Sequence, residues 1–382
     1  METIRLVLAG TLALVALLAF AQLAWGSLNI PSLRDVPPAV AGPVVSIVVA
    51  ARDEERHLRL AVESLLRQSY PALELIVVND RSTDDTAAIL AELALQDPRL
   101  RVVHVRELPD GWLGKNHAMQ QGAESAGGEI LLFADGDVVL APDAIARATR
   151  LLTALDLDHL AVAPDLRLPS WPLALVVNYF MMWFLLWLRP WRAGNPRSRA
   201  FIGIGAFNMV RHRAFAAVGG FTRIALRPDD DIMLGKLLKQ RGHRQLLASA
   251  DGCAAVEWYR TLAELARGFR KNAFAGLHYS ILLTLWAIVG NLLLAVWPFV
   301  AVWLTSGAER WLYASAGIAQ MLAYAGGAAA GRTRPWLAVF YPAAALLFVA
   351  ILAAAVGRTL RYRGIEWRGT FYALDRLRTN RI

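Results

Sequence analysis

Hydrophobic and polar positions follow two regimes along the chain. Leu6–Gly26 runs without a charge, and comparable runs return late, at Ile281–Leu304, Trp311–Gly331 and Trp336–Gly357. A helix needs about 20 apolar residues to cross the hydrocarbon core, so the pattern predicts an N-terminal anchor (1–26) and C-terminal membrane helices (281–357). Trp311–Gly331 is the weakest span, being rich in Ala and Gly and carrying Gln320. Tryptophans 286, 297, 303, 311 and 336 lie near run ends, where interfacial rings collect. The first run has a rival reading as a cleaved signal, since Ala19-Phe20-Ala21 fits a small-x-small site. Its charged region is poor, with Arg5 against Glu2, which favours the anchor.

Between these ends the periodicity changes. After a Pro-rich linker (27–43), short β-branched runs alternate with amphipathic stretches through a body spanning 44–275. Val44–Val49, Leu73–Val78, Arg101–Val105 and Glu129–Ala134 read as strands, mostly apolar throughout as in a parallel sheet covered on both faces. Glu55–Gln68, Thr83–Leu95 and Lys115–Ser125 read as the helices between them. This βαβαβαβ order predicts an α/β fold with a doubly wound, mostly parallel sheet.

One apolar run interrupts the body. Trp171–Leu188 holds 18 uncharged residues. A single crossing would put the residues before and after it on opposite sides of the bilayer, so 171–199 is expected to lie on or re-enter the membrane. Trp171, Trp183, Trp187 and Arg189 are its expected lipid-facing residues; a buried core helix is the alternative.

Composition fits a mixed protein: 56% of the 382 residues are apolar, 19% are charged, and mean hydropathy is +0.39. One cysteine, Cys253, excludes an internal disulfide and reads as packing. The net charge of +9 fits nucleic acid or an anionic membrane surface. The tail 358–382 decides between them: its seven arginines face two acids immediately after an apolar run, a juxtamembrane arrangement. A nucleic-acid partner is therefore not expected. His104, His117, His212, His243 and His278 lack ligand spacing and take no role.

Open parallel sheets bind ligands beyond the carboxyl ends of their strands. Ala50-Ala51-Arg52-Asp53-Glu54-Glu55 follows the first strand, Asn79-Asp80-Arg81-Ser82-Thr83-Asp84 the second, and Asp135-Gly136-Asp137 the fourth. Converging carboxylates need a cation or hydrogen-bond donors, and hard oxygen ligands suit Mg²⁺ or Mn²⁺ bridging a diphosphate. Further on, Asp229-Asp230-Asp231 holds more acid than a helix cap requires.

These stretches, with Gly114-Lys115 through Gly122 and Val218-Gly-Gly-Phe221, resemble the family 2 glycosyltransferases of the GT-A fold. The resemblance covers about Val44–Gly242. It implies that Ala50, Arg52, Glu54, Asp80, Lys115 and Asp135 bind the donor nucleotide, and that Asp135 and Asp137 hold the divalent cation, Asp137 directly. Pro228–Gly235 resembles the family's acidic-pair motif, implying Asp231 as catalytic base with Asp230 beside it. Arg267, Arg270 and Lys271 stand where the family often has Q-x-x-R-W, and are expected to meet the leaving diphosphate; the missing tryptophan argues against a polymer synthase. Gly111–Asn116 and Glu366–Tyr372 are similar to membrane-bound branches that glycosylate lipids, including carotenoid- and hopanoid-associated enzymes and ceramide glucosyltransferases.

The expectation is an inverting transferase of the cell membrane, multi-pass, its body facing the cytoplasm, moving a sugar from a nucleotide diphosphate sugar (UDP as the expected carrier) to a lipid. A polyprenyl-phosphate sugar synthase or polysaccharide synthase is the enzymatic alternative, and an inactive nucleotide-sugar-binding scaffold the non-enzymatic one. Three late spans would put the Arg-rich tail outside, against the positive-inside rule; either one run, Trp311–Gly331 first, is re-entrant or the spans number other than three, and a cytoplasmic tail is favoured.

Overall fold

The computed structural model describes residues 2–380, so Arg381 of the basic tail lies outside the described residues. In chain order, α1 (Glu2–Leu28) is followed by β1 (Val45–Ala51), α2 (Leu58–Leu66), β2 (Leu73–Asp80), α3 (Thr86–Gln96) and β3 (Leu100–Val105). Next come α4 (Gly114–Glu124), β4 (Ile130–Asp135), β5 (Val138–Leu140), α5 (Ala144–Ala154), β6 (His159–Ala163) and β7 (Asp165–Leu166). The middle of the chain forms α6 (Trp171–Leu188), β8 (Asn208–Arg211), α7 (His212–Ala217), α8 (Asp230–Gln240), β9 (Gln245–Ser249) and β10 (Ala254–Val256). The remainder forms α9 (Leu262–Gly276), α10 (Ile281–Asn291), α11 (Trp297–Leu304), α12 (Gly307–Ala330), α13 (Tyr341–Tyr362), β11 (Gly364–Trp367) and β12 (Thr370–Ala373).

Two units result. Of the described residues, one is α/β and takes 30–167, 190–257 and 375–380; the other is helical and takes 2–29, 168–189 and 258–374. The α/β unit carries a seven-stranded sheet in the order β3-β2-β1-β4-β8-β6-β9. β1 is parallel to β2 and β4, whereas β8 runs antiparallel to both β4 and β6. Alternate β1 residues serve opposite faces: Val45, Ile47, Val49 and Ala51 enter one apolar core, and Val48 enters another with Met119, Phe133 and Leu234. This burial on both faces accounts for the unbroken apolar runs. The register pairs Ala51 with Asn79 and Ala50 with Asp135, so the acidic loops leave the sheet along one edge.

The helical unit contains the predicted apolar runs. Glu2–Leu28, Trp171–Arg192, Ile281–Leu304 and Pro335–Tyr362 are each long and apolar enough to cross a membrane. The run Trp311–Gly331 falls, but for its last residue, within the 24-residue helix α12, which is not among these stretches. Small residues explain where it packs: Ala13 and Ala16 of α1 meet Ala316 and Ala319, a contact that lets helix backbones approach closely. Gln320 donates to the carbonyl of Leu294 (2.6 Å). That carbonyl lies in a π-helical turn, Leu292–Val296, whose altered pairing is the kind that side chains repair.

α6 is an uninterrupted helix whose residues 173–179 are buried. Tyr179 donates to Asn291 (2.5 Å), Tyr324 to the Leu175 carbonyl (3.0 Å), and Thr333 to Asn178 (2.9 Å). Trp171 and Trp187 are exposed, as is Arg189, while Trp183 is half-buried against Tyr179.

Three boundaries differ from the sequence reading. The Pro-rich stretch is packed on the α/β unit: Leu33 is fully buried, and Ser249 donates to the Pro31 carbonyl (2.9 Å). α9, which the reading put in the soluble body, belongs to the helical unit, where Phe269 of its buried face packs edge-on against Phe180. The tail is divided: 358–374 belong to the helical unit and 375–380 to the α/β unit, where Asn380 accepts from the Leu226 amide (3.2 Å) and donates to the Arg223 carbonyl (3.1 Å).

Candidate active site

The loops that end β1 and β2 are laced together. Asp53 accepts from the Thr83 amide (2.8 Å) and hydroxyl (3.2 Å), while its own amide donates to Ser82 (3.1 Å). The Glu54 amide donates to Thr86 (2.9 Å), the Glu55 amide to Asp84 (3.0 Å), and the Asp85 amide to Glu55 (3.1 Å). Asp53 and Arg81 both hold left-handed backbone (φ 53° and 57°). Such conformations cost energy and persist where the surroundings fix them; here the lacing does so.

Asp80, at the end of β2, is buried and accepts from Arg81 through both oxygens (2.7 and 3.0 Å), with Arg52 at 3.9 Å. The first turn of α4 contributes two side chains of different use. Asn116 donates to the carbonyls of Ile224 (2.8 Å) and Arg227 (2.9 Å), which anchors the loop entering α8. Lys115 reaches Asp135 (2.7 Å) and Asp230 (3.5 Å). Burial alone would lower this ammonium, yet it is held above its ordinary value by Asp135, then by Asp230 and Asp231.

The three consecutive acids divide their tasks. Asp229 pairs with the buried Arg227 through both oxygens (2.8 and 2.6 Å). Asp230 faces Lys115. Asp231 accepts from the Ile232 amide (2.8 Å) and from the Gly205 amide (2.7 Å). Its carboxyl is raised to about 7, first by burial and then by Asp230. A carboxylate so poised is half-ionised near neutrality, as a general base should be. Asp229 occupies the N-cap position of α8 without a side-chain cap bond, so simple capping does not account for the cluster.

Asp137 stands between β4 and β5, its carboxyl raised to about 7 by burial, then by Asp135 and Glu54. Neighbouring carboxylates that hold one another up in this way, with hard oxygen donors, fit a divalent cation. Among the described residues, no cluster of three or more His, Cys, Asp or Glu side chains could hold an ion unaided. Two carboxylates completed by substrate phosphates and water would be a common way to bind Mg²⁺.

Of the residues singled out by sequence, Arg52 and Asp80 form one contact group, and Lys115, Asp135 and Asp230 form another, with Asp231 in its electrostatic reach. Ala50 and Glu54 lie on the same sheet edge, Ala50 in register with Asp135. Arg267, Arg270 and Lys271 are on α9 of the helical unit, where the Lys271 ammonium sits 4.1 Å from the Trp367 ring. Sequence reasoning missed Arg81, Asn116, Arg227 and Gly205. The Gly-x-Gly spacing at 203–205 was the available signal for the last.

Residues 46–219 match the family model "Glycosyl transferase family 2". They form a family 2 glycosyl transferase domain. The 4,4'-diaponeurosporenoate glycosyltransferase of Staphylococcus aureus (strain MRSA252) is 36% identical over 26% of this chain and 26% of its own. The beta-monoglucosyldiacylglycerol synthase of Nostoc sp. (strain PCC 7120 / SAG 25.82 / UTEX 2576) is 28% identical over 50% of this chain and 40% of its own. The chain thus spans well under half the length of these curated relatives. Among solved structures, a mannosyltransferase from Pyrobaculum calidifontis, in complex with GDP-Man and Mn²⁺, aligns over 93% of this chain and 99% of its own. Its TM-score is 0.54 at 20% identity, a likeness of fold, and the α/β unit is accordingly GT-A-like.

Proposed function

We propose that this protein is a membrane-bound inverting glycosyltransferase that moves a sugar from a nucleotide diphosphate sugar, with UDP as the expected carrier, to a lipid acceptor. One observation carries the reading: Lys115 touches both Asp135 of the D-x-D turn and Asp230 of the acid triplet. Donor-side and base-side carboxylates thereby share one site. Asp231 accepts the proton of the acceptor hydroxyl as its oxygen attacks the anomeric carbon, and the bond from that carbon to the diphosphate breaks with inversion. Lys115 offsets charge on the departing diphosphate. A divalent cation bound at Asp135 and Asp137 would share that load. Asp80 and Arg52 meet the nucleoside, and Arg267 and Arg270 are assigned to the leaving group by resemblance alone.

A lipid acceptor is supported by the four membrane-length helices and by the lipid-type compounds in the names of the Staphylococcus aureus and Nostoc relatives. The test is nucleoside diphosphate release in nanodiscs of host lipids, with panels of UDP- and GDP-sugars, comparing the native chain with Asp137→Asn and Asp231→Asn. Turnover that needs a lipid, falls in both variants and inverts the anomeric centre is expected. Release that is independent of any lipid would overturn the acceptor assignment.

A further inference from the structure

The Asp231 carboxylate is fixed by two backbone donors of different origin. The Ile232 amide is its own neighbour and comes with the start of α8. The Gly205 amide arrives from a strap, residues 202–205, that leads into β8. Because β8 runs antiparallel to β4, its leading end lies at the edge where the parallel strands deliver their acids.

The strap seats on α8 by direct backbone contact at two points. A methyl at Gly203 would overlap the main-chain carbonyl of Asp231. A methyl at Gly235, one turn along α8, would overlap the carbonyl of Ile202. Gly205 faces both ways: its amide donates to Asp231, while a Cβ there would stand 2.8 Å from Asp135 Oδ2 and 3.3 Å from Lys115 Nζ. Bare backbone therefore ties the acid triplet to the D-x-D turn.

We propose that the Ile202–Gly205 strap is the positioning element of the base, with the Gly205 amide setting the direction of the Asp231 carboxylate relative to Asp135. The inference rests on the reading of Asp231 as base. A carboxylate opening a helix can otherwise sample several rotamers, whereas proton transfer tolerates little misplacement; an error of about 1 Å costs roughly 100-fold. The strap supplies what a rotamer cannot: a fixed distance between proton acceptor and donor site. Each oxygen of Asp231 spends one lone pair on an amide and keeps another for the acceptor's proton. The charged groups facing Asp231 are Asp230, Lys115 and Asp135, and the strap adds no charge to them.

The test compares three glycine variants with Asp231→Asn in nanodiscs, measuring kcat, donor KM, affinity for the nucleoside diphosphate, the pH–kcat profile and Tm. Gly203→Ala should lower kcat about 100-fold, leave diphosphate affinity within about threefold, and move the acid limb of the profile upward, because an amide that favours the charged carboxylate has been withdrawn. Gly235→Ala presses on the same contact from the helix side and should reproduce this split, so the result stands if one of the two variants folds poorly. Gly205→Ala keeps the amide but adds a methyl beside Asp135; it should raise donor KM and leave the limb in place. Normal kcat in Gly203→Ala and Gly235→Ala beside an inactive Asp231→Asn would overturn the strap alone. Parallel loss of kcat and diphosphate affinity with an unmoved limb would reduce the strap to a structural part and also overturn it. A fully active Asp231→Asn would remove the base reading itself, and the strap's role with it.

Discussion

The pH dependence of turnover follows from how the acids are arranged. Asp231 is raised from an ordinary carboxylate value to about 7, by burial first and by the neighbouring Asp230 second. A base must be deprotonated to act, so kcat should climb with pH and level off above this value. At pH 6 such a group is about one-tenth ionised and at pH 5 about one-hundredth, so kcat at saturating donor, acceptor and metal should fall about tenfold per pH unit on the acid side. An unperturbed carboxylate, ionising near 4, would give a flat profile across the same range. Initial rates of nucleoside diphosphate release between pH 5 and 9 measure this directly. Saturation matters because Asp137 is also raised to about 7, and its protonation should appear in kcat/KM through donor binding. Asp230→Asn removes the like charge beside Asp231 and should move the kcat limb to lower pH, by about one unit for a single neighbouring charge. A flat kcat profile, or a limb indifferent to Asp230→Asn, would refute this reasoning.

Three further expectations concern separate parts of the site. Asp137→Asn should abolish Mn²⁺ binding in the presence of a nucleoside diphosphate, read by the loss of free-ion depletion in electron paramagnetic resonance. Arg227→Met strands Asp229, whose side chain is 10% exposed, beside a partner that is 4% exposed. Breaking such a pair from one side costs about 3–5 kcal/mol, and a large fall in Tm should follow. Asn116→Leu deprives the Ile224 and Arg227 carbonyls of their donor; it should cost about 1–3 kcal/mol and lower kcat more than donor affinity, because the loop it holds leads to Asp231.

The parallel half of the sheet was legible because burial on both faces leaves unbroken apolar runs, and Asp80, Asp135 and Asp137 are read off where those runs stop. The other half resisted. β8 is four residues long and antiparallel, so apart from the short Gly-x-Gly at 203–205 its pattern does not announce that residues 202–205 lie against the acid triplet. Arg227 and Asn116 act through main-chain carbonyls and a local ion pair, contacts with no spacing signature. α9 was assigned to the wrong unit because an amphipathic stripe looks the same whether it covers a sheet or a bundle. The Gln320 that made Trp311–Gly331 look doubtful as a span has a local explanation: it serves the irregular turn at Leu294.

The central proposal is that a single site in the α/β unit holds a nucleoside diphosphate between the D-x-D turn and the acid triplet. A structure of the protein with a nucleoside diphosphate and Mn²⁺, recorded with anomalous scattering, tests it most directly. The predicted result is a manganese peak bonded to Asp137 and to the diphosphate, with Lys115 drawn onto a phosphate oxygen. A nucleotide bound away from Asp80 and Lys115, or a manganese peak remote from Asp137, would contradict it.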